Sequence, residues 1–406
     1  MGSSGPASTF RGPAIIGTPF NVVHDVHVRP DSATAAGFAG LPATWDTALQ
    51  ASGISPAEVK ANPRAALDAL QLAMEGPPPR PPPVPSRNTI NFKILRAFEF
   101  NTASDPCQCF RDFVQLGQGA SGVVYSAVDA RQGPNNGRKV ALKYCNLKEL
   151  EELKTEIAMQ SLSSHPNVVS IIEAFLTPTH VVVALELMTG GMLTSLCERD
   201  IRICEELHIG YVLKCVLQAL SFMHRQHQVH RDIKSDNILV DLDGRVKIAD
   251  FGFAASLTRE AMTRNSVVGT PFWMAPELIK SKSYDCKVDI WSLAITALEM
   301  TDGEPPLIHE PVMRALFLIT VNDPPSLRDP GQWSERLRHF LSKMLVKEPK
   351  NRSSSEQLLM HPLMSCVSTS EDFAELAQTQ SLTYSPQTAD CPVRRCDVEQ
   401  GDDSAL

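Results

Sequence analysis

No stretch of this 406-residue sequence stays apolar long enough to cross a bilayer, which takes about 20 residues. The most apolar segment, Val288–Met300, is interrupted by Asp289 and Glu299 and reads as a buried core helix. A secretory signal is not expected, because Met1–Pro19 carries one basic residue, Arg11, and no apolar core. Gly2 is followed by Ser3-Ser4-Gly5-Pro6, without the hydroxyl residue a myristoylation signal has at position six. Positive charge is scarce as well. The net charge is −8, which argues against a nucleic-acid binder, since that needs a basic face, and mildly favours basic peptide substrates. The ten cysteines include no pair of CxxC motifs, so no zinc site is expected. Cys107 and Cys109 are too close for an ordinary disulfide, and Cys391 and Cys396 sit in a polar tail. The thiols are expected to be reduced and the protein cytoplasmic. No internal repeat is present.

Apolar residues make up 43% of the chain, enough for a sizeable core. Composition divides it into five parts. Residues 1–14 are mostly Gly, Ser, Ala and Pro and are expected to be disordered. Residues 15–74 read as a small ordered or conditionally ordered module. Residues 75–109 form a linker around Pro77–Pro85, which no helix or central strand tolerates. Residues 110–363 are continuous and globular, and 364–406 are a polar acidic tail with no periodic apolar face. Within the globular part, Phe113–Leu116, Gly122–Val128, Val140–Tyr144 and Val181–Leu185 alternate as strands. Leu150, Leu153, Ile157 and Leu162 mark a helix among them. Helical patterns such as Leu207–His224 dominate afterwards. A β-rich lobe followed by a helical lobe leaves a cleft where ligands bind.

Several motifs face that cleft. Gly117-Gln118-Gly119-Ala120-Ser121-Gly122-Val123-Val124 is a glycine-rich loop able to cradle phosphates, and alone it is equally a plain hairpin. Strand-like sequence follows it, so it is not a dinucleotide fingerprint. Val140-Ala141-Leu142-Lys143 places a lysine in an apolar strand, where its charge needs a partner: nucleotide phosphates or Glu156. His230-Arg231-Asp232-Ile233-Lys234-Ser235-Asp236-Asn237 is sharper. Asp232 can accept the proton of an attacking hydroxyl, Lys234 can neutralise a moving phosphoryl group, and Asn237 can hold magnesium. Asp250-Phe251-Gly252 offers a second magnesium ligand in Asp250. Ala275-Pro276-Glu277 follows, and a buried Glu277 needs a cation, for which Arg352 is the candidate.

With these motifs in this order, residues 110–363 resemble the eukaryotic protein kinase superfamily. The resemblance implies an α+β, bilobal fold: an antiparallel five-stranded N-lobe with one regulatory helix, a mostly helical C-lobe, and the N-terminal module beside them. It implies ATP and Mg2+ as cofactors, with Lys143 and Glu156 clamping phosphates and Asn237 and Asp250 holding the metal. Leu185 would be the gatekeeper, and Glu186-Leu187-Met188 the hinge that hydrogen-bonds adenine. Leu116, Val124, Ala141 and Leu239 would pack against the base, and Gly117, Gly119 and Gly122 would cover the phosphates. Lys234 and Gly269-Thr270-Pro271 resemble the serine/threonine class, with Thr270 bracing Asp232 and Lys234. His230–Leu239 and Val268–Glu277 look like the sterile-twenty group, especially the p21-activated kinases. There the residue matching Ser266 is phosphorylated and would pair with Arg231; Thr263 is the other candidate. Basic residues are expected before the target Ser or Thr of protein substrates, read by acidic groups such as Asp236 and Glu304.

In the N-terminal module, Ile16-Gly17-Thr18-Pro19 leading to His24-Asp25-Val26-His27-Val28 resembles the Cdc/Rac-interactive binding motif. Two histidines without a further ligand type do not make a metal site. The resemblance assigns Ile16, Pro19, His24, His27 and Val28 to binding a GTP-bound Rho-family GTPase by strand addition. It also implies that the stretch from Trp45 to Leu70, including Leu49, folds against the C-lobe and blocks it, within one chain or across an autoinhibited homodimer. Gly17, Val22 and Arg29 depart from the family pattern, which keeps a constitutively active kinase as an alternative. A non-catalytic GTPase-binding scaffold would lack one of Lys143, Asp232, Asn237 or Asp250, and all four are present. Pro79–Pro82 fits either a partner with a polyproline-binding domain or a stiff spacer.

Overall fold

The computed structural model describes residues 28–31, 34, 37–75, 100–119, 122–147, 150, 153, 154, 157, 160, 164–198, 205–226, 228–249, 271–280 and 284–381. The 1–14 segment, the proline run Pro77–Pro85 and the last 25 residues lie outside them.

The first described element pairs β1 (Arg29–Pro30) with β2 (Phe38–Ala39), across a loop in which the Thr34 hydroxyl lies 3.0 Å from the Phe38 carbonyl it donates to. Three helices follow: α1 (Ala43–Ala51), α2 (Pro56–Ala61) and α3 (Pro63–Glu75). A capping box starts α2. The Ser55 hydroxyl accepts from the Glu58 N–H and the Glu58 carboxylate accepts from the Ser55 N–H, satisfying donors that a helix start leaves over. Trp45, Leu49, Val59, Ala66, Ala69 and Leu70 are buried, and their cluster is completed by Ile279, Leu316 and Phe317 from much later in the chain.

The helical turn α4 (Pro106–Cys109), capped by Asp105, leads into the upper lobe. Its strands are β3 (Phe110–Gly119), β4 (Gly122–Asp129), β5 (Lys139–Asn146), β6 (Ile171–Leu176) and β7 (His180–Glu186), antiparallel throughout in the order β3-β4-β5-β7-β6. Four match the alternating runs. The fifth, β6, carries Glu173 in mid-strand, which hides its pattern; that carboxylate is held by Arg131 at 2.5 Å and Asn101 at 2.7 Å. One face of the sheet is aromatic, with Phe110, Phe113, Tyr125, Tyr144 and Phe175 meeting edge to face. The other packs Cys145, Ala174, Val181 and Val183 against Leu153 and Ile157. Residues 150, 153, 154, 157 and 160 are helical, as the stripe predicts; Leu162 lies outside the described residues.

The lower lobe opens with β8 (Gly191–Met192) and α5 (Thr194–Glu198), then the long α6 (Glu206–Arg225). β9 (Ile238–Val240) and β10 (Val246–Ile248) form a hairpin whose β9 edge pairs with β8. There follow α7 (Pro276–Ile279), α8 (Lys287–Asp302), α9 (Val312–Val321), α10 (Glu335–Met344), α11 (Ser355–Leu359) and α12 (Ser370–Ser381). Every residue from Val288 to Met300 in α8 is buried, so this segment is the core helix expected of it. Arg352 meets Glu277 through bonds of 2.7 and 3.1 Å and lies over the Trp291 indole. Its partner was thus legible in advance. No helix among the described residues is long and apolar enough to cross a membrane.

Two expectations are corrected. The tail is not without an apolar face: α12 buries Phe373, Ala374 and Ala377 against the core, with the Phe373 ring 5.2 Å from Tyr211. Thr369 and Asp372 bond each other's backbone N–H groups at its start. Cys107 is in a disulfide rather than reduced, whereas the six other described cysteines are not. The short Cys107–Cys109 spacing excluded only a bond between those two. Because Phe373 has no exposed surface, Phe373→Ala is expected to destabilise the protein by about 3 kcal/mol in urea unfolding. Glu375→Ala on the exposed side should stay within ~0.5 kcal/mol.

Candidate active site

The loop between α6 and β9 is built around a charge from another helix. Asp289, completely buried near the start of α8, accepts the His230 N–H at 3.0 Å and the Arg231 N–H at 2.8 Å. His224 at the end of α6 contacts the same carboxylate through Nε2 at 2.9 Å. Arg231 has φ 70°, a left-handed conformation that costs about 1–2 kcal/mol and persists only where neighbouring bonds impose it. His230 extends the brace, with Nε2 donating to the Ala249 carbonyl at 3.0 Å and Nδ1 accepting from the Asp232 N–H at 3.3 Å.

This bend delivers Asp232. Asn237 donates through Nδ2 to the Asp232 carboxylate at 2.6 Å and to its carbonyl at 2.8 Å. The Lys234 ammonium lies 3.2 Å from the same carboxylate. The far side of the loop is held by α8 again: Glu299 accepts from Ser235 at 2.5 Å and from the Trp273 indole at 3.2 Å. Thr194 reaches Ser235 and Asp236. A partly exposed carboxylate beside a cation and an amide is equipped to take a proton while negative charge moves nearby. Because Nδ2 of Asn237 is committed to Asp232, its amide oxygen is left as a hard donor of the kind magnesium takes. The Ala249 N–H donates to the Asn237 carbonyl at 2.8 Å, tying the residue before Asp250 to Asn237.

Above the loop, Lys143 is buried in β5, opposite Val124 on one side and Val183 on the other. Ala141 shares its face of the strand and pairs with Leu185. Met188 is buried, Val124 and Leu239 are half-buried, and Leu116 is exposed. Gly119 pairs with Gly122 at the β3–β4 turn. Gly122 has φ 136°, and a Cβ there would lie 1.9 Å from the Tyr144 carbonyl, so the fold itself demands glycine. Around Gly117 a Cβ would meet nothing within 4 Å, so that position is open rather than tight. Glu156, Asp250, Ser266, Thr263 and Thr270 lie outside the described residues, as do Ile16, Pro19, His24 and His27. Val28 is described and packs on the apolar cluster of α1–α3.

A second surface joins the N-terminal module to the lower lobe. α3 lies along α9, and Arg314 of α9 donates to the Gly53 carbonyl at 2.8 Å and reaches Glu58 at 3.2 Å. Bonds from the Ser55 N–H and hydroxyl, then from Arg314, pull the Glu58 carboxyl down to about 2. Sequence reasoning missed the tasks of Asp289 and Glu299, although both stood out as charges in an apolar helix. It also missed Lys247 and Asp241, whose side chains are buried. Glu304, expected to read basic substrates, is already engaged by Arg328 and His309.

Residues 110–364 match the protein kinase domain family and residues 15–74 match the P21-Rho-binding domain. The chain is 40% identical to the serine/threonine-protein kinase pakC of Dictyostelium discoideum over 377 residues, 89% of this chain and 76% of pakC. This chain belongs to the p21-activated kinase family of serine/threonine protein kinases. Within that family it is also 39% identical to pakA of Dictyostelium discoideum over 88% of this chain but 30% of pakA. With PAK 1 of Mus musculus it shares 41% identity over 65% of this chain and 48% of the relative. It thus spans three quarters of one relative and half or less of the other two. Like its family it is a serine/threonine protein kinase with an N-terminal Rho-GTPase-binding domain.

The Asp289 anchor gives the kinase a pH signature. Burial alone would lower the His224 imidazole, but its bonds to Asp289 and Cys286 outweigh that and raise it to about 9, against an ordinary value of 6.5. Between those values the folded protein binds more protons than the unfolded chain, so stability falls as pH rises. The contribution is complete below 6.5 and lost on passing about 9. Urea midpoints measured across this window should decline in the unsubstituted protein. In His224→Gln, which keeps a donor but does not titrate, this share of the slope should vanish.

Proposed function

We propose that this kinase transfers the γ-phosphoryl group of ATP to Ser or Thr hydroxyls of proteins, with Asp232 as the group that orients the hydroxyl and takes its proton. The observation that carries the reading is the convergence of Asn237 and Lys234 on the Asp232 carboxylate. Lys234 neutralises charge on the moving phosphoryl group, and Lys143 with Glu156 positions the phosphates under the Gly117–Gly122 turn. Leu116, Val124, Ala141 and Leu239 enclose the adenine, and the hinge backbone at Glu186 and Met188 hydrogen-bonds it. Asn237 and Asp250 hold Mg2+, which when bound neutralises phosphate charge. Positioning and fixed charge supply the catalysis, since little covalent work falls to the protein. Thr270 braces the loop, and phosphate on Ser266 would pair with Arg231.

In the same reading, α1–α3 inhibit the kinase by their seat on α7 and α9. A GTP-bound Rho-family protein that captures Ile16, Pro19, His24, His27 and Val28 draws the module away. Support comes from the shared apolar cluster: Leu49 and Leu70 are buried in one cluster with Ile279, Leu316 and Phe317. The family and the described cysteines outside disulfides favour the cytoplasm, with Cys107 the exception.

The deciding experiment is phosphorylation of a basic peptide by the full chain, with and without a GTP-loaded Rho-family protein. Asp232→Asn should lower kcat by ~10²-fold or more while ATP still binds. Leu49→Asp should raise basal activity several-fold and abolish further stimulation. An unstimulated kinase unaffected by Leu49→Asp would establish constitutive activity, and an unsubstituted protein that binds GTPase without phosphorylating anything would be a scaffold.

A further inference from the structure

Glu186 is assigned to adenine through its backbone, and its side chain has a separate occupation. Its carboxylate accepts from the Lys247 ammonium at 2.6 Å and from the Ser170 N–H at 2.7 Å, with Arg245 at 3.7 Å. The Glu186 N–H in turn donates to the Ser170 carbonyl at 3.1 Å. The pair is largely out of water, with Lys247 8% and Glu186 12% exposed. One carboxylate therefore joins three segments: the entry to β6 and the end of β7 in the upper lobe, and β10 in the lower-lobe hairpin.

The other end of the crossing is fastened too. The Thr189 N–H donates to Asp241 at 3.0 Å, its hydroxyl bonds the same carboxylate, and the Gly190 N–H donates to the Val240 carbonyl at 3.0 Å. A Cβ on Gly190 would lie 2.9 Å from that carbonyl, so the chain passes as close to β9 as a backbone can. Between the two anchors lie only Leu187 and Met188. A buried ion pair is weak evidence for stability, because desolvation offsets its attraction; fixing geometry is the better-attested use. Adenine recognition by a backbone segment depends on that geometry.

We propose that the Glu186–Lys247 ion pair is a positioning device for nucleotide binding: it fixes the Leu187–Met188 segment and so sets ATP affinity without touching the nucleotide. The inference rests on the ATP reading above and adds Lys247, a positioning residue on the strand leading to Asp250.

The test uses the full chain, ADP titration calorimetry and steady-state kinetics with ATP and peptide varied separately. Lys247→Met should raise the ADP Kd and the ATP KM about tenfold, a modest share of what a 1 Å misplacement can cost. kcat at saturating ATP and the peptide KM should stay within about twofold. Lys247→Arg, which keeps a cation facing Glu186, should retain most of the affinity. Lys247→Met leaves a carboxylate unpaired, so the double variant E186Q/K247M guards against simple unfolding by keeping an acceptor for Ser170 without buried charge. It should melt near the unsubstituted protein and still bind ADP weakly. A folded E186Q/K247M with unchanged ADP affinity overturns the positioning role while leaving the ATP reading intact. An unsubstituted protein that binds no ADP overturns both.

Discussion

A carboxylate with no access to water organises the loop from His230 to Asn237. Asp289 would be costly to bury alone, since an isolated ion in the interior loses its hydration without return. Two backbone N–H groups and one imidazole replace that hydration. The replacement works in both directions, because the same bonds hold Arg231 in a backbone conformation it would otherwise leave. Once Arg231 turns there, Asp232 follows, and Asn237 and Lys234 close on it. Glu299, further along the same helix, takes Ser235 and the Trp273 indole. A single buried helix thus carries both fixtures of the loop, and this accounts for two acidic residues inside an otherwise apolar segment.

Much of this was readable from residue types and order. The β-rich and helical lobes, the loop from His230 to Asn237 and the Glu277–Arg352 pair all follow from local pattern or from a charge that must find a partner. What escaped has a common cause. β6 is interrupted by Glu173, whose ion pair with Arg131 comes from 42 positions away, so the strand's own alternation is broken. α12 offers Phe373, Ala374, Leu376 and Ala377 as a short apolar stripe, which composition averages into an acidic tail; the Thr369–Asp372 capping pattern was the signal that could have marked it. The Cys107 disulfide involves no near neighbour in sequence. Glu186 was read for its backbone because hinges are recognised that way, and nothing local announces that Lys247 meets it 61 residues later.

The N-terminal module follows a different logic from the His230–Asn237 loop. α1–α3 are short, and their apolar residues share one cluster with the lower lobe. Ile279 of α7 and Leu316 and Phe317 of α9 complete the cluster, so the module is stable where it lies by virtue of the lower lobe. An element whose core is partly borrowed can be exchanged for another partner offering comparable apolar contact. That is the physical requirement for a two-state switch.

The polar contacts across this surface decide how such a switch responds. Arg314 and Glu58 are a quarter and a third exposed, and exposed pairs of that kind contribute little even before salt screens them. They cannot hold the module in place; burial of Leu49, Leu70, Leu316 and Phe317 does that. What Arg314 adds is register, since it reads both the Gly53 carbonyl and the Glu58 carboxylate from one guanidinium. The Glu58 carboxyl, pulled down to about 2, keeps its charge throughout the physiological range. Neither pH nor moderate salt is therefore a strong lever on this contact. Competition for the apolar face is, and it is the kind of force a bound protein partner can exert.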